Sequence, residues 1–248
     1  MAKVVLITGA SRGIGRATAR LLGARGYSVG INFVQNERAA QDTVAEVLLA
    51  GGKACAIRGN VAEENDVMAM FDAVESAFGR IDAFVNNAGI VAPSLQLVDM
   101  SAARLKHVFD VNVLGAYLCA REAARRMSKG HGGNGGAIVN VSSISSRLGS
   151  PHEYVDYAGS KGAVDTMTIG LAKELATQGV RVNAVRPGLI DTEIHASTGH
   201  PDRAFVLGAQ TPLGRPGTAE EVAEAIAWLL SDAASYVTGS LLDVSGGR

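Results

Sequence analysis

Residues 3–15 read Lys3-Val4-Val5-Leu6-Ile7-Thr8-Gly9-Ala10-Ser11-Arg12-Gly13-Ile14-Gly15. The apolar run 4–7 has the composition of a strand buried on both faces. It stops at a turn with glycines at 9, 13 and 15, and a helical stripe of Ile14, Ala17, Leu21 and Leu22 then takes over until Gly26. A glycine-rich turn between a strand and a helix lets backbone approach a diphosphate, which the free N–H groups and dipole of the helix N-terminus attract. The spacing is GxxxGxG rather than the commoner GxGxxG. Taken alone, it is also the pattern of a tight strand–helix turn that holds nothing.

Outward from this turn the pattern repeats. Strands are expected at 28–34, 53–59, 83–86, 137–141, 180–185 and 240–244, and helices at 37–50, 63–78, 101–127, 154–177 and 220–230. Strand–helix alternation of this kind requires a parallel sheet with right-handed crossovers and helices on both faces. Its ligand would sit outside the carboxyl ends of the strands. Two stretches break the rhythm. Residues 130–136 hold five glycines and read as a mobile turn away from any ligand, and the aperiodic segment 192–216 reads as a lid or a surface excursion.

The 248 residues are expected to form one domain, 1–248, with 47% hydrophobic and 19% charged residues. A net charge of −1 gives no electrostatic warrant for a nucleic-acid or anionic-membrane partner. The opening apolar run is too short for a signal or a membrane span, so a cytoplasmic protein is expected. Cys55 and Cys119 lie in apolar segments and read as buried thiols of a reducing compartment. The five histidines fall in no metal-ligand spacing, and no metal is expected.

Tyr157 and Lys161 are four residues apart on an expected helix and share one face. Bringing a phenol from about 10 toward neutrality requires roughly 4 kcal/mol of preference for phenolate. One ammonium about 4 Å away supplies a comparable amount at an effective dielectric near 20. Tyr-x-x-x-Lys is also an ordinary helix surface. Tyr154 is a rival phenol, but its i+4 neighbour is Ala158.

The segment TGASRGIG (8–15), Asn86-Asn87-Ala88-Gly89, Asn112, Ser143, Tyr157 with Lys161, and Pro187-Gly188-Leu189-Ile190-Asp191-Thr192 occur in the order of the short-chain dehydrogenase/reductase family, which the whole chain resembles. Within that family it looks most like the glucose-dehydrogenase-like and 3-oxoacyl-carrier-protein-reductase-like members. The resemblance implies a Rossmann-type doubly wound parallel sheet of about seven strands. It also implies an NAD(P)-dependent oxidoreductase interconverting a carbonyl and an alcohol. Tyr157 would donate or remove the proton that accompanies hydride transfer, and Lys161 would also hold the nicotinamide ribose. Ser143, the second serine of VSS, would hydrogen-bond the substrate oxygen, with Ser142, Ser145 and Ser146 as rival hydroxyls. Asn112 would hold a water linking Lys161 to solvent, or is a satisfied helix amide.

The same resemblance places Gly9, Ser11, Arg12, Gly13, Ile14 and Gly15 at the diphosphate, and Asn60 and Val61 at the adenine. Asn87, Ala88 and Gly89 would line the ribose, while Pro187, Gly188, Ile190 and Thr192 would meet the nicotinamide. Asn60 departs from the family's usual Asp. The second strand ends in Asn32-Phe33-Val34 without the acid that would bind an NAD ribose, and Arg12 suits a 2′-phosphate, so NADP(H) is expected with NAD(H) as the alternative. Arg12 is otherwise a solvated loop charge. The small-molecule substrate would meet 90–95, 145–154 and the segment after Thr192, which mix apolar residues with His152, Glu153 and His195. A homotetramer is the family's usual assembly. The alternatives are a catalytically silent nucleotide sensor or scaffold, and an epimerase or dehydratase from larger relatives.

Overall fold

The computed structural model describes residues 2–193 and 203–248. Seven parallel strands form one sheet in the order β3-β2-β1-β4-β5-β6-β9. They are β1 (Val4–Ile7), β2 (Ser28–Phe33), β3 (Lys53–Arg58), β4 (Ala83–Asn86), β5 (Gly136–Val141), β6 (Val180–Pro187) and β9 (Leu241–Val244). Two short strands, β7 (Ile190–Asp191) and β8 (Gly217–Thr218), pair separately beyond the end of β6. The chain runs to one edge through β2 and β3, then returns to the other side of β1 with β4. That reversal opens a crevice at the carboxyl ends of β1 and β4.

Alternation along β1 builds two cores. Val5 and Ile7 join the cluster with Leu22, Val47 and Ile226, which belong to α1 (Gly13–Ala24), α2 (Glu37–Leu49) and α9 (Ala219–Leu230). Val4 and Leu6 face Phe71, Ala123 and Ala172 of α3 (Glu64–Phe78), α5 (Ala116–Met127) and α7 (Val155–Leu175). The side-chain period of two sends neighbouring residues to opposite faces, which is why the run lacks any polar residue. Local signals set the helix starts. Asn36 accepts from Ala39 N at 3.0 Å, and Thr218 with Glu221 forms a reciprocal capping box, a device typically contributing about 1 kcal/mol.

Three expectations need correcting: the single helix over 101–127, the mobile turn at 130–136 and the burial of Cys55. The helix expected over 101–127 is two helices, α4 (Ala102–Phe109) and α5, joined by a π-helical turn at Asp110–Gly115. Val61 explains the close approach there: a Cβ on Gly115 would come within 2.8 Å of it. The glycine run 130–136 is a packed turn, in which Gly136 passes so near Asp82 that a Cβ would meet its carbonyl at 2.2 Å. Of the expected lid, 203–216 carries the helix α8 (Arg203–Gly208), and 194–202 lies outside the described residues. Cys119 is buried, but Cys55 on the edge strand β3 is only half-buried. The short helix α6 (Ser145–Leu148) had no periodic signal in its four residues.

Candidate active site

The glycine turn is built to hold phosphate. Gly9 and Gly13 have φ of +61° and +51°, in the left-handed region that glycine adopts without strain. A Cβ on Gly15 would lie 2.6 Å from both Asn87 Nδ2 and Gly9 O, so the turn closes only around a bare Cα. No side chain caps α1 and no acid of the chain's own first helical turn competes for its N-terminal N–H groups, although Glu193 Oε2 comes within 3.7 Å of where a Gly13 Cβ would be. These features fit a dinucleotide diphosphate. Arg12 is exposed at the N-cap and forms no ion pair among the described residues. Ser11 and Ile14 are half-buried beside it.

Several residues expected at the nucleotide brace the crevice instead. Asn32 is buried: Oδ1 accepts from Gly9 N at 3.1 Å, and Nδ2 donates to Gly59 O at 2.9 Å. Its side chain thus holds the glycine turn against β2. Asn87 Nδ2 donates to Thr8 O at 2.8 Å and Gly9 O at 3.0 Å. Thr8 Oγ1 accepts from the backbone of Asn87 and Ala88, both at 3.0 Å. Asn60 Oδ1 accepts from Ala62 N at 3.1 Å, and Val61 is buried against the π-helical turn. Pro187 and Ile190 are buried, and Gly188 N donates to Val244 O at 3.0 Å. Thr192 crosses to the glycine turn, its Cγ2 lying 3.4 Å from where a Gly13 Cβ would be.

The four residues singled out for proton chemistry converge. Ser143, just beyond β5, faces the Tyr157 hydroxyl, whose pKa its own hydroxyl lowers. Its rivals Ser142 and Ser146 donate to the carbonyls of Lys161 and Ser143. Lys161 is buried, donates to Val141 O at 2.8 Å, and places Nζ 5.7 Å from the Tyr157 ring centroid. Asn112 is buried in the π-helical turn. Its Oδ1 accepts from Ile90 N at 2.8 Å, while Nδ2 donates to Ile90 O at 2.8 Å and Ser160 Oγ at 3.1 Å. Both amide hydrogens are therefore spent on protein, and only an oxygen lone pair is left for a water. A Cβ on Gly89 would come within 3.4 Å of both Asn112 Oδ1 and Lys161 Nζ, so glycine keeps the space between them open.

The electrostatics differ from the simple expectation of an acidified phenol. Burial pushes the Tyr157 phenol up, and the Ser143 hydrogen bond only partly opposes this. Burial also lowers Lys161 to about 8, against the opposing pull of Asp165. Desolvation disfavours phenolate and ammonium alike, and here it outweighs Ser143 at the phenol and Asp165 at the lysine.

Sequence reading missed two acids near this centre. Asp165, one turn beyond Lys161, is buried and receives Arg186 Nε and Nη2 on a single oxygen at 3.0 and 2.9 Å. Its i+4 spacing from Lys161 was a visible signal. Asp156 pairs with Arg104 across 52 residues of sequence, for which no local signal exists.

A parallel sheet with a phosphate turn at its switch point and a Tyr–Ser–Lys cluster beside it defines a dinucleotide-dependent α/β enzyme. A family model described as enoyl-(acyl carrier protein) reductase matches residues 9–248. The chain is 54% identical to the oxidoreductase YgfF of Escherichia coli (strain K12) over 245 residues, covering 99% of each. A short-chain type dehydrogenase/reductase from Mycobacterium marinum superimposes with a TM-score of 0.92 at 37% identity, covering 99% of this chain and 94% of that one. A 3-ketoacyl-(acyl-carrier-protein) reductase from Brucella melitensis, complexed with NADH, gives 0.90 at 33% identity, covering 99% and 98%. The chain belongs to the short-chain dehydrogenase/reductase family and is an NAD(P)-dependent oxidoreductase. None of these relatives is named as a silent sensor.

Proposed function

We propose that this oxidoreductase interconverts a carbonyl and an alcohol, with Tyr157 as general acid and base and NADP(H) as the preferred nucleotide. One observation carries the reading: the Tyr157 hydroxyl faces Ser143 while Lys161 Nζ lies 5.7 Å from the centre of the same ring. The glycine turn, Arg12 and Thr192 would hold the nucleotide, and bound nicotinamide would supply or accept the hydride. Ser143 holds the reacting oxygen in line with the phenol and stabilises negative charge that develops there. Tyr157 gives its proton to that oxygen in reduction, or takes it in oxidation. Burial keeps the phenol protonated at neutral pH, which suits the acid role. Lys161 stabilises phenolate when it forms and orients the ribose hydroxyls. The gap beside Gly89 has the place and polarity for a water joining Lys161 to Asn112.

Arg12, without an ion pair among the described residues, and the lack of an acid at the end of β2 support NADP(H); the NADH-bound Brucella relative makes NAD(H) the alternative. The two free thiols support a reducing, cytoplasmic location. Phe109, Leu114 and Tyr117 are 42–48% exposed along α4, the π-helical turn and α5, and Ile169 on α7 is 39% exposed. An apolar face of this kind supports a homotetramer, which light scattering would test. The reaction itself is tested by screening carbonyl compounds for NADPH consumption, and sugars and alcohols for NADP reduction, with wild type and Tyr157→Phe. Turnover should be lost in the variant with NADPH binding retained, and wild-type rates there would remove Tyr157 from the mechanism.

A further inference from the structure

We infer that Arg104 and Asp156 are positioning residues that set the width of the substrate cleft, by locking the wall at 90–95 to the turn that carries Tyr157. The inference rests on the carbonyl–alcohol reading and deepens it. Arg104, in the first turn of α4, donates from Nε to Asp156 Oδ2 at 2.9 Å and from Nη2 to Oδ1 at 3.4 Å. Its third nitrogen, Nη1, donates to Pro93 O at 2.6 Å. Asp156 Oδ1 accepts in turn from Tyr157 N at 2.9 Å. One guanidinium thus ties α4, the wall and the first turn of α7 together.

The ties matter because neither side of the cleft holds itself. Residues 90–95 have no regular secondary structure. Ile90 is anchored on Asn112, and Leu95 N donates to Glu153 O at 3.0 Å. Between those anchors, Pro93 is gripped by Arg104. On the opposite side the chain enters α7 through Ser150 and His152, non-glycine residues with φ of +44° and +66°. Backbone of that kind persists only where its surroundings over-determine it. The pair is nearly out of water, with side-chain exposures of 14% and 1%. Desolvation cancels much of the attraction in a buried ion pair, so its stabilising effect is small. Its forked geometry, by contrast, fixes both distance and angle. Three contacts on one planar group, aimed at the wall and at the Tyr157 peptide, point to geometry as its purpose.

The test compares wild type with Arg104→Lys on two matched probes, ethyl acetoacetate and the bulkier ethyl benzoylacetate, with NADPH. Lysine keeps the charge but has no fork, so it reaches Asp156 or Pro93 and not both. The ratio of kcat/KM between the two esters should change by about fivefold or more, with the NADPH Kd unchanged. An unchanged ratio in the folded variant would overturn the clamp. Should Arg104→Lys fail to fold, Asp156→Glu keeps the charge, lengthens the arm and carries the same expectation. Hydrogen exchange gives a readout that needs no turnover: amides of 90–95 should exchange about tenfold faster in the variant. Unchanged exchange overturns the clamp whatever the substrate proves to be. Faster exchange in a protein that turns over no carbonyl or alcohol sinks the functional reading and leaves the clamp standing.

Discussion

Lys161 Nζ is held on the carbonyl of Val141 at 2.8 Å while lying 5.7 Å from the centre of the Tyr157 ring. The ammonium is thus anchored by β5 rather than by the phenol it serves. That contact is to backbone and uses no atom of Tyr157, so the lysine has an anchor separate from the phenol. Burial acts against both charges, holding the phenol above its ordinary range and the lysine at about 8.

Stability should carry the signature of that buried lysine. The folded chain releases the Lys161 proton near pH 8 and the unfolded chain near 10.5, so in that window the unfolded state binds more protons and stability rises with pH. The full penalty, about 3 kcal/mol from a shift of this size, is present below pH 8 and relieved by pH 10.5. Lys161→Met removes it. Urea unfolding of the nucleotide-free proteins should show wild type gaining on the variant as pH rises from 7 to 10.5. Parallel pH curves would contradict the assignment. The lost hydrogen bond to Val141 shifts both ends equally and does not affect the slope.

Gly15→Ala places a methyl group 2.6 Å from Gly9 O, a backbone atom that moves only with the whole phosphate turn. Such overpacking costs about 1–3 kcal/mol. NADPH affinity should fall about tenfold or more, and the melting temperature by several degrees. Fluorescence titration and calorimetry read the two effects, and native affinity would mean the turn is not the diphosphate site.

Arg12→Ala tests nucleotide choice. A charged hydrogen bond to a 2′-phosphate contributes about 1.5–3 kcal/mol, so kcat/KM with NADPH should fall roughly 10- to 150-fold while NADH is spared. Equal losses with both nucleotides, or wild-type efficiency with NADH at or above NADPH, would reverse the preference.

Gly89→Ala fills the gap between Asn112 Oδ1 and Lys161 Nζ with a methyl in ordinary contact distance, 3.4 Å from each. The fold should tolerate it. If a water there links lysine to solvent, kcat should drop about tenfold with NADPH binding nearly unchanged. An unaltered kcat would take the water link away.

The sheet and the phosphate turn were legible because their signals are local. A wholly apolar first run, and mostly apolar later ones alternating with helical stripes, leave a doubly wound sheet as the arrangement that buries both strand faces. The break at Asp110–Gly115 was not legible, since one π-helical turn inside a continuous apolar helical stretch leaves little mark on the pattern, and the approach of Gly115 to Val61 joins residues far apart in sequence. Asn32 shows the same limit. Its place at the end of a strand suggested a nucleotide ligand, and only the fold revealed that Gly9, Gly59 and Met70 surround its amide.

The strand positions, the phosphate turn and the i+4 pairing of Tyr157 with Lys161 were readable along the chain, because each depends on residues within a few positions of one another. Which serine meets the phenol, which asparagines are spent on backbone, and that Arg104 reaches Asp156 came from the folded arrangement alone. Those outcomes depend on which distant groups share a buried space. There most donors and acceptors find a partner, and desolvation decides which charges survive.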